Sequence, residues 1–409
     1  MTAESSEGHA RGSPVYRRLT IAMLFAGFST FALLYSVQPL LPLFAAEYRL
    51  SAAAASLAVS LTTGPLAFAI LAAGLISDRI GRRPIMVAAM LAASALTFLA
   101  ALAPGWIALL ALRLLTGLAL AGVPAVAMAY VAEEVHGESV GAAMGLYIAG
   151  SALGGMGGRL IASVVADLGG WRMALGVVGV VGLAMAEAFR RLAPPSRRFV
   201  RQAHSRSGGG GPLVRDPALL LLYAQGFLLM GIFVTLYNYA GFRLLAPPYA
   251  LSQSEVGAIF LLYVLGSVSS AWFGTLAGRI GRRRIFWLPV VILIGGAGLT
   301  AAHPLALIVL GIALTTIGFF GAHSIASAWV GRRAQGRRGQ AAAFYLFAYY
   351  MGSSLLGSLG GIAWTRDGWT GVSLFCISLG LIALIGAGLL ALIPPLPIPD
   401  PNETVPVEA

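Results

Sequence analysis

The feature that most constrains this chain is a run of about 20 mostly apolar residues, long enough to cross a bilayer as a helix, repeated twelve times. The runs lie at 19–44, 53–76, 84–103, 106–132, 139–165, 171–189, 218–241, 255–277, 285–302, 305–330, 341–364 and 369–393. Hydrophobic residues make up 58% of the chain and charged residues 10%, against the quarter or so that a soluble domain carries. The first run follows Arg17 and Arg18. It is too long for a signal-peptide core and lacks a convincing cleavage site, which predicts a retained helix. The expected fold is an all-α polytopic membrane protein of twelve transmembrane helices.

All 27 basic residues are arginine. The absence of lysine excludes a Walker A loop and Schiff-base chemistry. Cys376 stands alone, which excludes an intramolecular disulfide and a cysteine-based zinc site. His9, His136, His204, His303 and His323 show no metal-ligand spacing. Neither metal nor cofactor is expected.

With both termini placed in the cytoplasm, the inner segments hold 21 arginines and the outer segments 4, while Arg113 and Arg159 fall within spans. That asymmetry predicts N-in, C-in topology. The net charge of +12 is then an orientation signal and not a nucleic-acid footprint. Glu133, Glu134 and Glu138 make one inner loop acidic, but acidic residues count little in the rule. Trp106, Trp171, Trp364 and Trp369 fall at outer ends, and Trp272, Trp287 and Trp329 at inner ends, as interfacial indoles do.

The longest loop, Arg190 to Asp216, holds Pro194-Pro195, several arginines and the Gly208–Gly211 run, a flexible composition. It divides the chain into a tail (1–18), a six-helix bundle (19–189), a basic linker (190–217), a second bundle (218–393) and a tail (394–409). The bundles are repeats. Gly74 to Arg83 matches Gly274 to Arg283 at an offset of 200, Leu50-Ser51 matches Leu251-Ser252 at 201, and Phe31, Leu34 and Tyr35 match Phe233, Leu236 and Tyr237 at 202. Gly157-Gly158 matches Gly360-Gly361 at 203. Two six-helix repeats of parallel topology describe a secondary transporter.

These residues resemble the major facilitator superfamily over essentially the whole chain outside the tails. Gly74, Asp78, Arg79, Gly81, Arg82 and Arg83 occupy the positions of that family's G-x-L-a-D-R-x-G-R-R loop between helices two and three. The resemblance implies a gating role for Asp78, whose carboxylate would meet the positive end of a helix in the other half. Gly278 stands at the equivalent place in the second copy, so the contact would be one-sided. In helix four, Arg113, Thr116, Gly117 and Ala119 resemble R-x-x-q-G-x-g. In helix five, Gly150, Gly154 and Gly155 fit the exporter pattern G-P-x-x-G-G without its proline. Gln38-Pro39-Leu40-Leu41-Pro42 and Gly170-Trp171-Arg172 also look like the drug/proton antiporter branch.

An ionisable residue inside a span marks a functional site by default. Arg113 lies seven residues from the outer end of helix four, roughly 10 Å deep at 1.5 Å per residue. Arg159 lies at similar depth in helix five, with Asp167 eight positions beyond at the boundary. Each guanidinium needs an anionic substrate group, helix carbonyls or cavity water. Arg113 is the expected anion ligand and Arg159 the weaker one, since Gly157 and Gly158 beside it suggest helix packing. Arg113 aligns with Leu314 and His323 with Gly122, so the repeated fold requires neither. His323 in helix ten is the proton-coupling candidate; a neutral histidine bonded to a carbonyl or hydroxyl is the competing reading. Tyr35 and Tyr237, with Gln38 and Asn238 near them, are expected to line a cavity for an amphipathic organic substrate; aromatic packing is equally compatible.

The expected protein is a bacterial plasma-membrane secondary transporter. It would work as a monomer in the lipid bilayer and exchange protons for a small organic molecule such as a drug, sugar or siderophore. Uptake of a nutrient anion is the alternative. A membrane-embedded enzyme is the remote alternative, disfavoured by the lack of a convergent acid, base and nucleophile.

Overall fold

The computed structural model describes residues 8–196, 213–334 and 337–394. The linker's glycine run and the tail from 395 fall outside them, as do the surroundings of positions 74, 75 and 78, among them the Asp78 side chain. The described residues form twelve spans. Helix one is Pro14–Tyr48, helix two Ala52–Ile80, helix three Arg82–Ala101 and helix four Trp106–Glu134. Helices five and six are two helices within Val140–Leu192, separated where Gly169 and Gly170 leave helical geometry. Helix seven is Pro217–Leu244 and helix eight Gln253–Ile280. Helix nine is interrupted at Phe286, between Arg282–Ile285 and Trp287–Leu299. Helix ten is Leu305–Arg333. Helices eleven and twelve are two helices within Arg338–Leu392, separated where Asp367 and Gly368 leave helical geometry.

Local sequence explains the ends. Ser13, Ser51 and Asp216 cap helices one, two and seven with side-chain oxygens, and Ser252 with Glu255 forms a reciprocal capping box on helix eight. Helix one reaches further than its apolar run at both ends and breaks inside. Its first segment stops at Tyr35, a single 3₁₀ turn spans Gln38–Leu40, and Leu41–Tyr48 completes it. Pro39 has no amide hydrogen to give Tyr35 O and disfavours helical geometry just before it, so the first segment ends here. The repeat reappears in the backbone. Gly81 and Gly281 take positive φ angles of 105° and 97° at the two matching turns, a region open to glycine at little cost.

Close helix pairs set the scaffold. Helix five lies against helix one through Gly150 and Gly154, where a Cβ would run into the carbonyls of Leu24 and Phe28. Gly352 makes the same approach of helix eleven to Phe227 of helix seven. Small residues let backbones approach where lipid supplies no hydrophobic drive between helices. Helices one and seven have the most enclosed apolar windows of all the spans, 72% buried in each, and so stand at the centre.

Candidate substrate site

The two spanning arginines meet different surroundings. Arg113 is fully buried. Its Nη1 and Nη2 donate to the carbonyls of Leu33 and Leu34 at 3.1 and 2.7 Å, and its Nε to that of Ala58 at 3.2 Å. Leu33 and Leu34 belong to the last turn before the break in helix one, where carbonyls lose their helical donors. Arg113 thus ties helix four to the broken end of helix one and to helix two. Its hydrogen-bonding capacity goes to backbone, not to a cavity. Arg113→Met, which keeps the volume, strands these carbonyls at about 1–3 kcal/mol for each group left unsatisfied. The expected result is less folded protein and a lower melting temperature, read by size-exclusion yield and thermal unfolding, with unchanged affinity per folded molecule. Parental yield would contradict it.

Arg159 projects between the halves. Its Nη1 donates to Gly155 O at 2.5 Å and its Nε to Gln38 Oε1 at 2.6 Å. The guanidinium carbon lies 4.4 Å from the Tyr35 ring centre, 5.2 Å from Phe260 and 5.1 Å from Tyr263. Among the described residues no carboxylate pairs with it, and Nη2 has no hydrogen-bond partner. Gly155 leaves room beside it: a Cβ there would meet Arg159 Nη1 at 3.4 Å. The Tyr263 hydroxyl is buried without a partner. A cation enclosed by aromatic faces attracts the rings' electron density, and its hydrogen-bonding edge accepts an anion. The depth argument placed both arginines at one level. It carried no information about which way each points, and that is where they part.

The other expected residues divide as well. Tyr35 Oη reaches Ser353 Oγ of helix eleven at 3.5 Å. Tyr237 bonds Thr316 at 2.8 Å and stacks on Phe260, so it supports the wall. Gln38 Nε2 donates to Asn238 Oδ1 at 2.7 Å across the halves. His323 Nδ1 pairs with Tyr345 Oη at 2.9 Å, and its ring stacks on Phe319 and faces Tyr349. Phe319 stacks on Phe233, which contacts Tyr263, so an unbroken aromatic path joins His323 to Arg159. Phe260, Tyr263, Tyr345 and Tyr349 were not singled out from sequence. Their signal is the i,i+3 and i,i+4 spacing of aromatics on one helix face, which apolar spans of every orientation share.

The halves are linked at the end opposite the arginine-rich loops. Besides Gln38 and Asn238, Ser60 bonds Ser358 at 2.6 Å, Gln253 Nε2 donates to Pro39 O at 2.5 Å, and Ser254 N donates to Asp167 at 3.2 Å. At the arginine-rich end, two described arginines of the loop motif make contacts within the first half. Arg82 bonds Glu133 through Nε and Nη2 at 2.9 and 2.8 Å, which gives one of the acids of that loop its partner. Arg83 Nη2 reaches Arg190 O at 2.7 Å.

Comparison with known proteins decides the family. The family model for the Major Facilitator Superfamily matches residues 23–250 and again 228–409. The chain belongs to this superfamily. It is 44% identical over 384 residues to the uncharacterized MFS-type transporter YybF of Bacillus subtilis (strain 168), covering 93% of this chain and 95% of that one. It is also 44% identical over 384 residues to the inner membrane transport protein YnfM of Escherichia coli (strain K12), covering 92% and 91%. Among solved structures, a bacterial homologue of the human lysosomal transporter Spinster, in an inward-facing and unoccupied conformation, superposes with a TM-score of 0.77 at 15% identity, covering 93% of this chain and 98% of that chain. This superfamily member is therefore a multi-pass membrane protein and a secondary transporter rather than an enzyme.

Proposed function

We propose that this transporter exports small organic anions with an apolar body in exchange for protons, and that Arg159 is the cation that binds them. The carrying observation is the guanidinium of Arg159, paired with no carboxylate among the described residues and walled by Tyr35, Phe260 and Tyr263. That surface suits an anion on a flat apolar frame and repels a lipophilic cation. Arg113, the cation preferred from sequence, is spent on carbonyls and takes the bracing role. His323, with Tyr345 as its partner, is the proton carrier in this reading, since an imidazole can take up and return a proton at its ring nitrogens. The exporter-like glycines of helix five support export. Uptake of a nutrient anion uses the same arginine and differs in direction alone.

Inverted membrane vesicles with an acidic lumen test the reading. Benzenesulfonate, whose permanent charge blocks passive leak, is expected to accumulate only when the protein is present, and a protonophore should abolish this. His323→Gln should lose accumulation but keep gradient-free counterflow. Accumulation of ethidium in place of the sulfonate would overturn the anion reading. Gradient-driven loss of preloaded sulfonate would favour uptake, and parental accumulation by His323→Gln would make that histidine structural.

A further inference from the structure

The seal opposite the arginine-rich end includes three uncharged amides beside the Ser60–Ser358 and Ser254–Asp167 links. Gln38, Asn238 and Gln253 are all buried. Gln38 belongs to two networks at once: it accepts from Arg159 inside its own half and donates to Asn238 in the other. A guanidinium offers a carboxylate two bidentate forks, one through both Nη atoms and one through Nε and Nη2. Gly155 O takes one of the two Nη1 hydrogens, so both forks keep free donors, and the one that bears on the seal is the Nε–Nη2 fork. One prong of that fork holds Gln38 Oε1 at 2.6 Å. Nε carries a single hydrogen, so a carboxylate on this fork and Gln38 compete for it.

Resting on the assignment of Arg159 as the anion site, we propose that a substrate carboxylate takes the Nε–Nη2 fork, displaces Gln38 Oε1, and thereby releases the Gln38–Asn238 latch that holds the two halves together. Substrate binding and gate opening are then one exchange of hydrogen bonds. The latch is poised to open. Asn238 Nδ2 and Gln253 Oε1 are buried without partners, and opening to water satisfies both. Displaced Gln38 keeps only the long contact from Nε2 to Val234 O, 3.5 Å, which is too weak to hold the seal.

Gln38→Glu and Gln38→Leu pull the exchange in opposite directions. The glutamate supplies a permanent carboxylate to the fork, and its second oxygen can accept from Asn238 Nδ2, so the gate locks and outside anions are excluded. The leucine keeps the bulk and deletes the latch, as Asn238→Leu does from the other side. A cysteine replacing Ser163 reports opening, because this buried residue faces Gly257 across the seam between helices five and eight; Cys376→Ala removes the native thiol. The purified protein is labelled with a polar maleimide, with and without benzoate. Benzoate is expected to speed labelling of the otherwise parental protein roughly tenfold, an ordinary coupling between sites. Gln38→Leu and Asn238→Leu should label fast without it. Gln38→Glu should label slowly in both conditions and bind benzoate at least about tenfold more weakly. Benzoate-accelerated labelling of Gln38→Glu, or parental rates in both leucine variants, overturns the latch. Parental benzoate affinity in Arg159→Gln overturns the anion site itself, as does a parent protein that ignores benzoate. Loss of benzoate binding in Arg159→Gln together with parental behaviour of the Gln38 variants would sink the latch alone.

Discussion

Arg159→Gln is expected to weaken binding of an organic anion by about 2–5 kcal/mol, the usual cost of removing one partner from a buried, hydrogen-bonded charge pair. That corresponds to a loss of affinity from roughly 30-fold to several thousand-fold. Arg159→Lys should recover only part of it, because an ammonium cannot present the planar fork or lie flat among Tyr35, Phe260 and Tyr263. Folded yield should stay near the parental level, since Arg159 contributes just two hydrogen bonds to the scaffold, to Gly155 and Gln38. Isothermal titration of the purified variants separates the two quantities. Tight anion binding by Arg159→Gln would remove the site; collapse of folded yield would make Arg159 a brace like Arg113.

The second large effect is on folding. Gly154→Val should leave little folded protein, because even its Cβ would overlap the Phe28 carbonyl and force helix five away from helix one. Overpacking a tight site ordinarily costs about 1–3 kcal/mol, and more where rigid backbone must move. Gly150→Val should do the same against Leu24. Gly145→Ala, on the same helix with open space around its Cβ, should be harmless or slightly favourable, given alanine's better helix propensity. Detergent-solubilised yield and melting temperature give the ranking. Equal tolerance at positions 145 and 154 would contradict the close approach of helices one and five.

The fold was legible because lipid imposes a length on apolar runs and arginine punctuates them. Twelve runs, a 21-to-4 arginine split and a 200-residue repeat describe the architecture before any contact is known. Helices five with six and eleven with twelve run into one another because their connections are too short for a loop. The site was legible in its residue types but not in its arrangement. Arg113 and Arg159 were found by their charge, yet their ranking depended on where the carbonyls of Leu33 and Leu34 lose their donors. Pro39 carried part of that information, since a proline disfavours helical geometry at the residue before it and so ends the ladder near Gln38. The aromatic wall was hidden for a different reason. In an apolar span, an aromatic facing lipid and one facing a cavity have the same neighbours in sequence, and no polar face tells them apart. The gate role that the family resemblance implies for Asp78 remains the reading of the loop motif, while Arg82 and Glu133 give that loop a firm anchor within its own half.

Counterflow in proteoliposomes tests the central claim most directly. Purified protein is reconstituted with unlabelled benzenesulfonate inside and a trace of labelled benzenesulfonate outside, with no ion gradient and with ethidium as the matched cation in a parallel sample. The account predicts a transient uptake of labelled sulfonate that disappears in Arg159→Gln, survives in His323→Gln and has no counterpart for ethidium. Sulfonate counterflow that is indifferent to Arg159, or counterflow of the cation alone, would contradict it.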